Sequence, residues 1–184
     1  MTSRPVVFML CGTPFSGKST LARALVERFD LTHVEIDLVH QERGVLLRDG
    51  DGVSENDWLV AFQTSYRRLI QAIERGESVV WDATTYYRAQ RDRVRKVAVK
   101  YGAEVVLVYV DTPASVARSR LERNRVVRSR WDIPDDEFTT ISRALEPPTA
   151  DEFPLRYSPD VPLDHWMTTI IAPLLSPGPK ELAG

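Results

Sequence analysis

The sequence holds a single cysteine, Cys11, and three widely spaced histidines, His33, His40 and His165. A lone thiol excludes an internal disulfide and fits a reducing cytoplasm. Scattered histidines without cysteine partners argue against a structural metal cluster. No long apolar run is present. The longest, Pro5 to Cys11, falls far short of the roughly 20 residues that a membrane-spanning helix needs. Met1 to Pro5 is too short and polar to begin a signal peptide. Neither sign of charge dominates: 24 basic residues stand against 26 acidic ones, for a formal charge of -2. There is therefore no global pull toward nucleic acid or an anionic membrane. There is no internal repeat and no linker long enough to divide two domains. These absences point to a soluble, cytoplasmic chain of one domain over residues 1–175, with a flexible tail over 176–184.

What is present alternates. Pro5 to Cys11, Ser78 to Asp82 and Glu104 to Val110 read as short, largely apolar strands, and His33 to Ile36 as a short β-branched one. A fifth could lie at Leu155 to Tyr157, in a stretch from Glu146 to Pro162 that holds five prolines. Amphipathic segments fall between the strands. One runs from Lys18 to Phe29. A long one follows Ser54, with Asp57 completing a shortened capping box and Trp58, Phe62, Tyr66, Leu69 and Ile73 on one side. Others cover Arg88 to Tyr101, the residues after Thr112-Pro113, those after Pro134, and Leu163 to Leu175. Arg43 to Val53, with three glycines, reads as a loop that could cover a pocket. Strands alternating with helices imply an α/β fold of three layers around a parallel sheet.

Gly12-Thr13-Pro14-Phe15-Ser16-Gly17-Lys18-Ser19, followed by Thr20, matches the phosphate-binding loop G-x-x-x-x-G-K-[ST] and sits between a buried strand and a helix. Its backbone N–H groups and the helix N-terminus form an anion cradle. Lys18 can reach the β- and γ-phosphates of ATP, and the Ser19 hydroxyl can hold Mg²⁺. Asp37 and Asp82 follow the second and third strands, at the sheet edge where α/β folds bind ligands. Either could take a proton from an acceptor hydroxyl, and Asp82 could also hold the metal. The alternative is that each only caps a loop. Arg118, Arg120, Arg123, Arg125, Arg128 and Arg130 crowd one stretch. Such a run suits a lid around 118–133 that closes on phosphate, or else a solvated face. Tyr86 and Tyr87 could wall an acceptor pocket, and Trp131 could stack on a base.

These stretches resemble the small P-loop kinases related to the kinase domain of phage polynucleotide kinase, an AAA-type ATP-binding group. Zeta-toxin-like kinases and kinases acting on seryl-tRNA are more distant relatives. The resemblance spans roughly Val6 to Phe153. It rests on the loop with Pro14, on Ile36-Asp37, on Trp81-Asp82-Ala83-Thr84, on Val110-Asp111-Thr112-Pro113 leading to Arg120 and Arg123, and on Pro134-Asp135-Asp136 running to Glu146-Pro147-Pro148 and Glu152-Phe153. The resemblance implies a sheet ordered 2-3-1-4-5 and Asp37 as general base. Asp82, with Thr84, Tyr86 and His40, would lie toward the acceptor. Arg120 and one of Arg123 and Arg125 would reach the nucleotide phosphates. The chain departs from the family where His40 replaces an arginine that grips an acceptor phosphate, where Asn124 replaces a lid arginine, and where Thr85 replaces asparagine. The expected activity is transfer of the ATP γ-phosphate to a hydroxyl of an undefined acceptor, with a polynucleotide 5′-hydroxyl as the runner-up. A nucleotide-binding switch without an acceptor is the rival of another class.

Overall fold

The structure, a computed structural model, describes residues 4–45, 53–128 and 132–175. Most of the loop expected at Arg43 to Val53, and Arg130 and Trp131 of the arginine-rich stretch, lie outside them.

Five strands form one sheet: β1 (Val6–Cys11), β2 (Thr32–Glu35), β3 (Val79–Asp82), β4 (Glu104–Val110) and β5 (Leu155–Tyr157). Their order is β2-β3-β1-β4-β5, and every pairing is parallel, as expected. β1 lies at the centre and is buried along its whole length, which is why its sequence does not alternate.

Helices cover both faces. Val6, Phe8 and Leu10 of β1 pack toward α1 (Lys18–Phe29) through Leu21 and Leu25, and toward the C-terminal helix through Trp166, Met167 and Ile171. That last helix is α7 (Leu163–Trp166), a π-type turn over Met167–Ile171, then α8 (Ala172–Leu175). Val7 and Met9 face the other way, onto α3 (Glu55–Glu74) and α4 (Arg88–Lys100), with Trp81, Leu69, Ile73 and Val94. The alternation of β1 between two separate cores fixes its register.

One helix was not expected. α2 (Ile36–Glu42) begins immediately after β2, so Asp37 lies in a helical first turn rather than a loop. α3 starts as its sequence predicts: the Ser54 hydroxyl accepts from the Asp57 N–H at 3.1 Å. α5 (Ala114–Val127) carries Arg118, Arg120, Arg123 and Arg125 of the arginine-rich stretch, and α6 (Asp135–Ala144) follows it. Thr112 does not cap α5. Pro113 precedes the helix, and the Thr112 hydroxyl donates instead to the Ser16 carbonyl at 2.8 Å. No helix among the described residues is long and apolar enough to cross a membrane.

Candidate active site

The phosphate loop follows β1, and α1 opens at Lys18. Gly12 is required by close approach. A Cβ there would sit 2.8 Å from the Val110 carbonyl and 2.9 Å from Ser16 Oγ. Gly17 has φ +110°, a conformation side chains disfavour, and a Cβ would meet the Arg120 guanidinium at 3.2 Å. Lys18 is anchored at the base of the loop, where Nζ donates to the carbonyls of Gly12 and Thr13 at 2.9 and 2.8 Å. Phe15 at the tip packs on Ala117, Leu121 and Phe138, which joins the loop to α5 and α6.

Two cavities flank the loop. The first, about 390 Å³, lies between α1, α5 and the chain from Tyr157 to Leu163. Thr20, Arg120, Arg123 and Asn124 line it. Arg120 is pinned to the loop backbone and donates to the carbonyls of Ser16 at 2.6 Å and Phe15 at 3.3 Å. Arg125 points elsewhere: it pairs with Asp132 at 3.2 Å and Asp135 at 3.1 Å. The wall formed by Tyr157, Pro159 and Leu163 was not foreseen. The proline-rich sequence there carries no pattern that marks a binding surface.

The second cavity, about 440 Å³, brings Pro14, Lys18 and Ser19 together with Asp37, Asp82, Thr84 and Tyr86. Trp58 and Phe62 of α3 and Ile133 and Ile141 beside and on α6 complete it. Strand β3 delivers Asp82 at its last position, opposite Glu35 of β2. His33 lies against both carboxylates, its Nε2 3.6 Å from Asp82 and its Nδ1 3.8 Å from Glu35. Burial, then the neighbouring Asp82 charge, raises the Glu35 pKa above the ordinary carboxylate range.

His40 is not among the residues that line this cavity. It is fully buried, and its ring meets Trp58 edge-on at 4.7 Å between centroids. Burial lowers its pKa, against the pull of Asp37 and Asp57. Its position lies behind the wall, supporting Trp58. The reason is local: α2 turns residue 40 inward with Ile36 and Val39.

The residues fit a hard divalent cation. Asp82 Oδ2 is buried without a hydrogen-bond partner in the protein, and the Ser19 hydroxyl lines the same cavity. No group of three or more His, Cys, Asp or Glu side chains is arranged for a metal among the described residues. One or two protein oxygens supplemented by phosphate and water is the pattern of Mg²⁺.

Sequence reasoning also passed over Arg91. Its side chain is 1% exposed, as is that of Glu152, with which it forms a two-bond ion pair at 2.7 Å per bond. It further donates to the carbonyls of Thr85, Tyr86 and Glu146. Thr85 Oγ1 in turn donates to the Leu10 carbonyl at 2.6 Å. Arg91 thus fixes the chain just beyond Asp82. Its only sequence signal is an arginine at an inward position of an amphipathic helix.

The AAA domain family matches residues 7–148. The chain belongs to that family. The adenylyl-sulfate kinase of Saccharomyces cerevisiae is 29% identical over 161 residues, covering 80% of this chain and 73% of the relative. A sugar kinase from Janibacter sp. HTCC2649 superposes with a TM-score of 0.64 at 22% identity, over 95% of this chain and 99% of that one. The Pnkp1/Rnl/Hen1 RNA repair complex superposes with a TM-score of 0.67 at 20% identity, over 79% of this chain and 45% of that one. With its phosphate loop and sheet order, the chain is an ATP-dependent kinase of the P-loop class.

Proposed function

We propose that the chain transfers the γ-phosphoryl group of ATP to a hydroxyl of a small molecule held in the cavity beside Asp37. The reading rests on one observation: Lys18 and Ser19 share that cavity with the carboxylates Asp37 and Asp82. Nucleotide would lie along the loop, its base toward Tyr157, Pro159 and Leu163 and its terminal phosphate beside Lys18. The backbone N–H groups of the loop and Lys18 would bear the phosphate charge. Asp37 would accept the acceptor's hydroxyl proton as that oxygen bonds to the γ-phosphorus. The bond from phosphorus to the β-bridging oxygen breaks in line, and ADP leaves. Arg120 and Arg123 would steady the spreading charge from α5, which with α6 would serve as the lid. Mg²⁺, held by Ser19 and Asp82, would offset charge on the β- and γ-oxygens.

A cavity of about 440 Å³ suits a metabolite-sized acceptor. The likeness to the RNA repair complex favours the second reading, a polynucleotide 5′-hydroxyl. A phosphorylation assay with γ-labelled ATP, comparing 5′-hydroxyl DNA and RNA oligonucleotides with a panel of small alcohols, decides between them. Labelling of small alcohols supports the first. Efficient, salt-sensitive labelling of an oligonucleotide 5′ end would replace it with the second.

A further inference from the structure

The acceptor cavity is lined in part by the chain after β3, through Thr84 and Tyr86, and in part by α6, through Glu137 and Ile141. Glu137 and Ile141 lie one helical turn apart and share a face of α6. Leu145, one turn further on, packs on the core that α3 and α4 cover. Glu146 comes next, and it is bonded through both backbone groups and its carboxylate. Its N–H donates to the Tyr86 carbonyl at 2.9 Å. Its carbonyl accepts from Arg91 Nη1 at 3.0 Å, and the same nitrogen donates to the Tyr86 carbonyl at 3.3 Å. Its carboxylate accepts from the Arg88 N–H at 2.7 Å. Arg88 is the first residue of α4, so no carbonyl within that helix can serve its N–H. A carboxylate there also meets the positive end of the helix dipole.

The two ends of α6 are therefore held in different ways. At its start, Asp135 makes exposed ion pairs to α5, and Phe138 lies against Phe15 of the phosphate loop. Just past its end, Glu146 fastens it to Tyr86 and to the first turn of α4. A shift of α6 that follows the phosphate loop is passed through Glu146 to the chain after β3.

We propose that Glu146 is a positioning residue: it sets the spacing between α6 and the Thr84–Tyr86 wall, and it couples nucleotide at the phosphate loop to the acceptor side of the cavity. Among the described residues Glu146 does not line that cavity, so it acts through Tyr86 and α4. The proposal rests on the kinase reading above and adds a residue to it.

The test is hydrogen exchange of the full chain, read by mass spectrometry with and without AMPPNP and Mg²⁺. Thr85 donates to the Leu10 carbonyl of β1, and Asp82 is the proposed metal ligand, so residues 82–85 feel the phosphate loop directly. The readout is therefore taken beyond them, at 86–90, while 12–20 reports nucleotide binding itself. In the unaltered chain AMPPNP should slow exchange several-fold in both segments. Glu146→Ala should keep the protection of 12–20 and lose most of that at 86–90. Glu146→Gln, whose amide oxygen can still accept from the Arg88 N–H, should restore it. Glu146 is exposed, so both variants should fold. Exchange at 86–90 that rises by the same factor with and without nucleotide in Glu146→Ala marks a merely structural contact and overturns the proposal. So does unchanged protection in that variant. Protection of 12–20 without protection of 86–90 in the unaltered chain also overturns it and leaves the kinase reading intact. If the coupling is found but label from γ-labelled ATP appears only in free phosphate, the kinase reading fails while the role of Glu146 stands.

Discussion

At the scale of single residues, roles separate by what each side chain touches. Lys18→Ala should remove most phosphate stabilisation and cripple turnover. Asp37→Asn should leave ATP affinity intact and lower the transfer rate by about 10²–10⁴-fold, the range for a general base. Isothermal titration with AMPPNP and single-turnover kinetics separate the two effects, and full turnover in the Asp37→Asn chain would remove Asp37 from that role. His40 carries a pH prediction. In the fold its pKa lies below the ordinary value of about 6.5. Below about pH 6.5 the unfolded chain takes up a proton that the folded chain resists, so this contribution to stability is present above 6.5 and lost as pH falls toward the folded value. His40→Leu should therefore flatten the loss of stability between pH 7.5 and 5.5 in urea denaturation; an unchanged slope would contradict it. The Arg91–Glu152 ion pair is buried outside the apolar cores. Glu152→Ala leaves a guanidinium stranded at 1% exposure and should cost about 3–5 kcal/mol, read from the same denaturation curves.

At the scale of elements, the proposed lid is held by a few contacts. Arg118 and Arg125 both pair with Asp135, at 2.9 and 3.1 Å, and Phe138 lies against Phe15 with ring centroids 6.5 Å apart. Asp135 is well exposed, and exposed pairs contribute little to global stability. Asp135→Ala should leave the unfolding midpoint nearly unchanged while raising KM for ATP several-fold, because two arginines lose their common anchor between α5 and α6. A clearly lowered midpoint alongside the raised KM would instead mark Asp135 as part of the folding core. Elements also show what the sequence could carry. α3 was legible because a cap, a capping partner and a long apolar stripe agree at Ser54, Asp57 and Trp58 to Ile73. α2 was not, since seven residues without a capping side chain leave too little period to distinguish from the end of a strand. The π-type turn at Met167–Ile171 is likewise invisible to a pattern that reads only a run of helical spacing.

At the scale of the whole molecule, the sheet order and the phosphate loop were readable because each rests on short-range rules: largely apolar strands, alternating helices, and a loop motif with the correct flanks. The far wall of the nucleotide-side cavity was not, because Tyr157, Pro159 and Leu163 reach it only through the pairing of β5 with β4. The placement of His40 failed for a related reason. Counting positions from Asp37 gives no direction until the chain is known to be helical there. The sheet delivers Asp82 at the end of β3, α2 carries Asp37, and the phosphate loop sets Lys18 and Ser19 in the same cavity, so the proposed chemistry depends on three segments far apart in sequence meeting at one edge. The most direct test of the account is product analysis after incubation with γ-labelled ATP, Mg²⁺ and the alcohol panel. Label is expected on an acceptor hydroxyl, abolished in Lys18→Ala and strongly slowed in Asp37→Asn. Label found solely in free phosphate, with every alcohol offered, would contradict it.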